Sequence, residues 1–416
     1  MRDQIISSLS ERLLTTKDRR SHVHWLWKHL EENFDETIED IYRLVISKVV
    51  LGVIQGASMT SVAASIGAVI RMHFKEEEEK EETKAAVHCG VKILEAFCNK
   101  DYKDRGVHLL DIKLVNKGRS SRANDNALYA LICTDEELLN KIILSEDIEN
   151  SPEFPLLTPA KDWNSFYHID LKAPLIRGAS TKTLKMITPY SAPHVFNALN
   201  KLQKTPYKIN QNVFHVYKKL LNMQTKEELL KRDYKPSQLS PFKHDKEEMV
   251  ASRAGMFLEA EFIKTIADRI GERPFYQAYN CDFRGRIYPM TPYLNEQSSD
   301  NAKGLIMYNE GVPLGDEGAY WLAVHTANSI GQDKLSLDER VQYVLDNLDE
   351  IYSWAAFPDT NTGWMEAEKP WSALACAFEW RALDMWKVIG GNDTEDYVCH
   401  LPIFIDGLML AHLKPL

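Results

Sequence analysis

No run of apolar residues in this 416-residue sequence approaches the roughly 18 to 20 that a membrane-spanning helix needs, and the small-residue stretch Ala57 to Ile70 is interrupted by Ser, Thr and Gly. A membrane-embedded protein is therefore excluded. The first residues, Met1-Arg2-Asp3-Gln4-Ile5-Ile6, lack the long apolar centre and small-residue cleavage site of a secretory signal, and Asp3 and Glu11 argue against a transit peptide. The six cysteines, at positions 89, 98, 133, 281, 376 and 399, form no Cys-x-x-Cys pair and no zinc-type spacing with His. Reduced thiols in a cytoplasm are the natural reading. Internal repeats and low-complexity tracts are absent too.

What is present is ordinary for a soluble globular protein of two or three domains: 44% hydrophobic and 26% charged residues. The net charge of -10 argues against a nucleic-acid partner until it is resolved along the chain. From Lys172 to Lys246 there are 15 Lys plus Arg against 4 Asp plus Glu, a local +11 that leaves -21 elsewhere. A basic middle on an acidic protein suits a cleft that holds phosphates, although a solvated Lys-rich helical face would give the same count.

Apolar spacing predicts helices over most of the first hundred residues, with Ile5, Ile6, Leu9 and Leu13 on one face, then Ile38, Ile41, Leu44 and Val45, then Val91, Ile93, Leu94 and Phe97 packed on the earlier set. The acidic run Lys75 to Glu82 reads as a solvated helix face or connector. Short strands mixed with a helix at Glu136 to Leu144 are expected between Val107 and Ile148, and an exposed loop or boundary between Pro155 and Gly178. Helices are predicted again from Ala192 to Asn222 and from Glu247 to Ile270, the latter stopped by Gly271 and Pro274.

Two segments carry chemistry. In Cys281-Asp282-Phe283-Arg284-Gly285-Arg286-Ile287-Tyr288-Pro289, two arginines flank a glycine, so both guanidinium forks can approach phosphate oxygens. In Leu401-Pro402-Ile403-Phe404-Ile405-Asp406-Gly407, an apolar strand-like run delivers one carboxylate to its end. Between them come Asn301-Ala302-Lys303-Gly304-Leu305-Ile306, Gly315 with Gly318-Ala319-Tyr320-Trp321-Leu322, His325, Ala327 and Asn328, Trp364, and Pro370-Trp371-Ser372-Ala373-Leu374-Ala375-Cys376-Ala377-Phe378-Glu379.

This ordered series resembles the palm of the single-subunit RNA polymerases of phage and mitochondrial type. Upstream, Ser61 to Gly67 and Val91 to Phe97 resemble pieces of that family's helical N-terminal domain, and Pro174-Leu175-Ile176-Arg177 through Asn210 resembles the segment leading into its thumb. The resemblance implies a mainly α fold with a partial α+β palm of the right-hand polymerase type: a helical N-terminal domain over 1–203, a thumb-like helical segment over 204–275, and a partial palm over 276–416. It further implies DNA-templated nucleotidyl transfer by two magnesium ions, with a double-stranded DNA template, nascent RNA and nucleoside triphosphates as partners. Asp406 matches the first catalytic aspartate and a magnesium ligand, and the Gly407 carbonyl a backbone ligand. Arg284, Arg286, Tyr288 and Lys303 would lie along the template or hybrid, Tyr288 being equally suited to core packing. Arg253 reads as a surface residue, Trp321 and Trp371 as core. The implied location is the cytoplasm of an infected or lysogenic bacterial host.

After Gly407 the sequence departs from the family, which continues with a Ser-rich turn, a nucleotide-binding helix and a second catalytic aspartate. A polymerase split over two polypeptides, with the rest of the palm and fingers on the second, an intron or a frameshift would each account for this, the last two better. The chain by itself is then expected to be inactive in RNA synthesis. A non-catalytic DNA-binding protein descended from such a polymerase is the alternative. A phosphatase nucleophile strand is set aside, because position 408, where its second Asp would stand, is Leu.

Overall fold

The computed structural model describes residues 6, 7, 10, 26, 30–54, 57–74, 83–97, 110–116, 128–133, 141–142, 154–171, 173–179, 181–223, 259–390 and 393–404. Residues 6, 7, 10, 26 and 30–32 are helical, and after them come α1 (Phe34–Ile54), α2 (Met59–Phe74) and α3 (Thr83–Phe97). They form because apolar residues recur at helical spacing, and the predicted positions Ile38, Ile41, Leu44, Val45, Ile93, Leu94 and Phe97 are all buried in one core. The crossing of α2 and α3 is close enough to demand glycine. A Cβ on Gly90 would stand 1.9 Å from the Ala63 carbonyl oxygen.

The expected strands follow as β1 (Leu110–Asn116) and β2 (Leu128–Cys133), paired antiparallel. Of the helix expected over Glu136 to Leu144, residues 141 and 142 are described and helical. Ile5, Leu9, Leu13, the acidic run from Lys75 to Glu82 and Arg253 lie outside the described residues.

The stretch from Pro155 to Gly178 departs from the expectation of an exposed loop. It contains β3 (Tyr167–His168) and β4 (Ala173–Pro174) and builds a second core around Leu156, Trp163, Leu171 and Leu175. Pro159, Lys161, Asp162 and Asp170 face water, while the irregularly spaced Leu156, Trp163, Leu171 and Leu175 turn inward. Gln203 fixes it from inside: the Trp163 indole N–H donates to Gln203 Oε1 at 2.9 Å.

The helices expected from Ala192 to Asn222 are present, with a strand between them that the apolar spacing does not predict. The short α4 (Thr181–Lys185) and then α5 (Pro193–Leu202) are followed by a strand, β5 (Tyr207–Ile209), before α6 (Gln211–Met223) resumes. Pro206 has no N–H to give a helix, and Tyr207 to Ile209 find a better ladder on a distant partner. The chain continues through helical residues 259–270, which bury Phe262 and Ile266, and leaves that helix at Gly271 with φ +62, as its sequence predicts.

From there the elements are β6 (Tyr279–Cys281), β7 (Ile287–Pro289), α7 (Asp300–Leu305), β8 (Ile306–Tyr308), β9 (Val312–Pro313), α8 (Gly315–Ile330), α9 (Leu337–Asp346), α10 (Leu348–Ala356), α11 (Pro370–Val388) and β10 (Val398–Cys399). The strands form two-stranded antiparallel sheets, β5 on β8, β6 on β7 and β9 on β10. The described fold is mainly helical, and no described helix is long and apolar enough to cross a membrane. Cys89, Cys281, Cys376 and Cys399 are unpaired and buried, and burial pushes the Cys89 and Cys376 thiols up to about 12.

The junction of α7 with α11 organises this half. Pro370 occupies the first turn of α11, where its missing N–H costs nothing, and the helix is capped from 70 residues away. Asp300 accepts the N–H groups of Trp371 at 2.7 Å and Ser372 at 3.2 Å, and the Ser372 hydroxyl at 2.6 Å. Burial raises the Asp300 pKa against these hydrogen bonds. At the other end of α7, Gly304 lies against the Trp371 backbone, where a Cβ would come within 2.6 Å of the carbonyl oxygen. Gly304→Ala is expected to force the helices apart and lower stability by about 1 to 3 kcal/mol in denaturant unfolding. Wild-type stability for that variant would contradict the contact.

A buried polar chain links β5 to the segment before α7. The Tyr207 and Tyr279 hydroxyls meet at 3.2 Å, and Tyr279 donates to Glu296 Oε1 at 3.0 Å, while Glu296 Oε2 is buried with no hydrogen-bond partner. Burial is the main cause that raises the Glu296 pKa. The folded state therefore holds the proton more tightly than the unfolded chain, and stability falls as pH rises from the unfolded toward the folded pKa. Glu296→Gln keeps the Tyr279 acceptor and removes the charge. Its melting temperature is expected to exceed that of the wild type at neutral pH, with the gap closing under acid.

Candidate functional site

The Asp282 to Tyr288 motif forms the tip of the β6–β7 hairpin. Gly285 takes φ +81, a left-handed conformation that side chains with a Cβ resist, and the turn reverses there. The Asp282 carboxylate then organises everything around it. Oδ1 accepts the backbone N–H of Arg284 at 2.9 Å and of Arg286 at 3.0 Å. Oδ2 accepts the Arg284 guanidinium at 3.0 Å and the Tyr288 hydroxyl at 3.3 Å. Partial desolvation works to raise the Asp282 pKa, but the hydrogen bonds from Arg286 and Arg284 outweigh it and hold the carboxyl below the usual range.

The two arginines thus have different standing. Arg284 is bonded back to Asp282, and that hydrogen bond raises its own pKa. The Arg286 side chain is exposed, and among the described residues its guanidinium has no protein partner. Phe283, between Asp282 and Arg284, is 82% exposed.

A third arginine, to which the sequence reading gave no role, fastens the hairpin from outside. Ile176 bridges Cys281 in parallel, and the Arg177 N–H donates to the Cys281 carbonyl at 2.8 Å. The Arg177 guanidinium donates to Asn280 Oδ1 through Nε and to the Pro289 carbonyl at 2.7 Å, and lies 5.3 Å from the Tyr288 ring centroid. Partial desolvation lowers the Arg177 pKa, with Tyr288 opposing. One side chain therefore grips both strands. Tyr288 serves as the stacking surface for Arg177 and a donor to Asp282.

Lys303 belongs to a separate cluster at the approach to Asp406. Its Nζ stands 5.3 Å from the Phe404 ring centroid, and Phe404 lies 5.7 Å from the ring of His325 on α8. Burial first, and Lys369 second, lower the His325 pKa to about 4, so the ring near Phe404 is neutral at pH 7. The run from Leu401 to Phe404 is not the strand its sequence suggests. Pairing ends at Cys399, with one further bond from the Tyr308 N–H to the His400 carbonyl at 2.9 Å, and Pro402 has no N–H with which to extend the ladder. Asp406 and Gly407 lie outside the described residues. Among the described residues no three His, Cys, Asp or Glu side chains gather as a metal site.

A cavity of about 800 Å³ opens beside this approach, lined by Leu401, Ile403, Cys399 and Trp321 with Lys201 and Lys204 at one side. Trp321, expected in the core, is half-buried on the wall of this cavity, with its indole N–H 3.4 Å from Glu317 on the same helix. Trp371 is also partly exposed but packs on the core, 5.1 Å from Trp364 and 4.9 Å from Tyr217 between ring centroids.

Replacing Arg177 by Ala is expected to leave the Pro289 carbonyl and Asn280 without their donor and to cost roughly 1 to 3 kcal/mol. Lys, with one point charge in place of a fork, should recover little of it. Faster amide hydrogen exchange confined to the β6–β7 hairpin is the expected signature. Exchange unchanged in the hairpin of the Ala variant would show that Arg177 does not hold it.

Residues 312–409 match the family model of the DNA-dependent RNA polymerases. The chain is 31% identical over 284 residues to a mitochondrial DNA-directed RNA polymerase of Neurospora crassa, covering 61% of this chain and 19% of that protein. It is 30% identical over 282 residues to the T7 RNA polymerase of Escherichia phage T7, covering 62% of this chain and 31% of the phage enzyme. Similarity to the DNA-directed RNA polymerase of Enterobacteria phage K11, at 25% identity, runs over 97% of this chain and 44% of that enzyme. The chain thus spans less than half the length of these curated relatives. Over the stretch that it shares with them, the chain is similar to the phage-type, single-subunit DNA-directed RNA polymerases.

Proposed function

We propose that this chain is the part of a phage-type DNA-directed RNA polymerase that holds the template or its hybrid with the transcript, within an enzyme that joins nucleoside triphosphates on double-stranded DNA. Residues 1–203 would be its helical N-terminal domain, 204–275 a thumb-like segment and 276–416 palm. The observation that carries the reading is the β6–β7 hairpin. Asp282 and Arg177 fix its backbone, Arg284 is bonded inward, and Arg286 is presented to the outside as a planar cation suited to phosphate. Lys303, in its separate cluster beside Phe404, would contribute a second positive charge to the template or hybrid.

In this reading Asp406 and the Gly407 carbonyl supply hard oxygen donors to magnesium, a donor set that fits that ion. When bound, it would stabilise charge at the reacting phosphate. The bacterial host cytoplasm would be the place of action if the phage relatives are the guide.

Binding of an RNA–DNA hybrid, followed by fluorescence anisotropy across a salt series, tests the assignment. Arg286→Ala is expected to weaken binding several-fold without sequence preference and to lower the slope of log affinity against log salt by about 1. An unchanged affinity and slope would overturn the role of Arg286. For the metal, calorimetric titration with magnesium alone should show binding that Asp406→Asn abolishes, and equal binding by both forms would move the metal elsewhere.

A further inference from the structure

Outside the hairpin, one surface combines features that a core or a solvated helix does not require. After Arg177 the chain passes through α4 into the turn Thr188-Pro189-Tyr190-Ser191, which leads into α5. The inner side of this segment is anchored: Leu184 is fully buried, and Ile187 packs on the same second core as Ile287 of the hairpin. The outer side carries Tyr190 at 95% and Met186 at 74% exposure, with Lys182, Lys185 and His194 also exposed.

The turn is built rigidly. The Thr188 N–H donates to Ser191 Oγ at 2.9 Å and the Ser191 N–H to Thr188 Oγ1 at 3.1 Å. The Ser191 hydroxyl donates to the Met186 carbonyl at 3.1 Å, and the Ala192 N–H closes the loop on the Thr188 carbonyl at 3.0 Å. Pro189 further restricts the backbone next to the tyrosine. A single exposed tyrosine would need no explanation. This one is held out on a fixed turn four residues after a second exposed large apolar side chain, Met186, in a stretch of sequence of one charge sign: between Asp170 and Glu227 there is no acidic residue and there are ten Lys plus Arg.

A pre-ordered aromatic face amid positive charge is the combination that binds unpaired bases, since a flat π surface accepts any base and the cations follow the phosphates. A duplex hides its base faces and would gain only the electrostatic part. We propose that the Thr188–Ser191 turn, with Tyr190 as its platform and the exposed Lys182 on the preceding helix α4, is a stacking site for single-stranded nucleic acid, distinct from the Arg286 hairpin. The strand could be DNA or RNA, which share the base face and the phosphodiester. The inference does not depend on Arg286 contacting a hybrid.

The test compares binding of a single-stranded oligodeoxythymidine, a single-stranded oligouridine of equal length and a DNA duplex by the 416-residue chain and its variants. Tyr190→Ala is expected to weaken single-strand binding about tenfold and leave duplex binding unchanged, with Tyr190→Phe close to wild type because the ring remains. Lys182→Gln should lower the salt slope for single strands by about 0.7. Both tyrosine variants alter an exposed side chain, so their melting temperatures should match the wild type and separate loss of the site from loss of fold. A larger loss on oligouridine assigns the site to RNA, and a larger loss on oligodeoxythymidine to DNA. Single-strand binding unaffected by Tyr190→Ala, or lowered equally for single strand and duplex, would overturn the proposal. Loss of single-strand binding in Arg286→Ala with Tyr190→Ala unaffected would place the single strand on the hairpin instead.

Discussion

The presentation of Arg286 depends on one carboxylate. A two-stranded hairpin with an exposed tip has little apolar contact of its own there, and the turn between β6 and β7 is kept by Asp282, which accepts two backbone N–H groups, the neighbouring guanidinium and the Tyr288 hydroxyl. Every acceptor direction on that carboxylate is in use, so it acts as a bracket rather than as a free ligand. Charge-assisted bonds of this kind are stronger than neutral ones, which suits a turn that must keep its shape without burying it. Arg177 completes the bracket from the other side, and because it reaches both Asn280 and Pro289 it ties the two strands to a segment more than a hundred residues earlier.

The same economy appears at α7 and α11. Asp300 closes the N-terminus of a distant helix, and Gly304 lets that helix approach to backbone contact, so a six-residue helix fixes the relative placement of Lys303, Phe404 and the elements behind them. The sequence between the hairpin and the Asp406 region is therefore a frame whose spacing matters as much as its residue types. Small residues along α11, Ala373, Ala375 and Ala377 among them, are buried for the same reason.

Much of this was legible in the sequence where the determinants are local. The described helices between Phe34 and Phe97 followed from apolar spacing, and the helix end at Gly271 from its glycine. Pairing at long range was not legible. Tyr207 to Ile209 look helical beside their neighbours until β8 offers a ladder, Trp163 and Leu175 sit among polar residues that suggest a loop, and nothing near Arg177 or Asp300 in sequence signals the partners they find. Pro402 is a signal that could have been read, since it denies the run before Asp406 a regular strand.

A β6–β7 hairpin that is preformed to meet nucleic acid should exchange its amides more slowly once nucleic acid is bound. Amide hydrogen exchange of the chain, measured with and without a bound RNA–DNA hybrid, tests this most directly. Added protection is expected at the hairpin, residues 279–289, on a turn that is already ordered in the free chain. Protection confined to other segments, with hairpin exchange the same in both states, would contradict it.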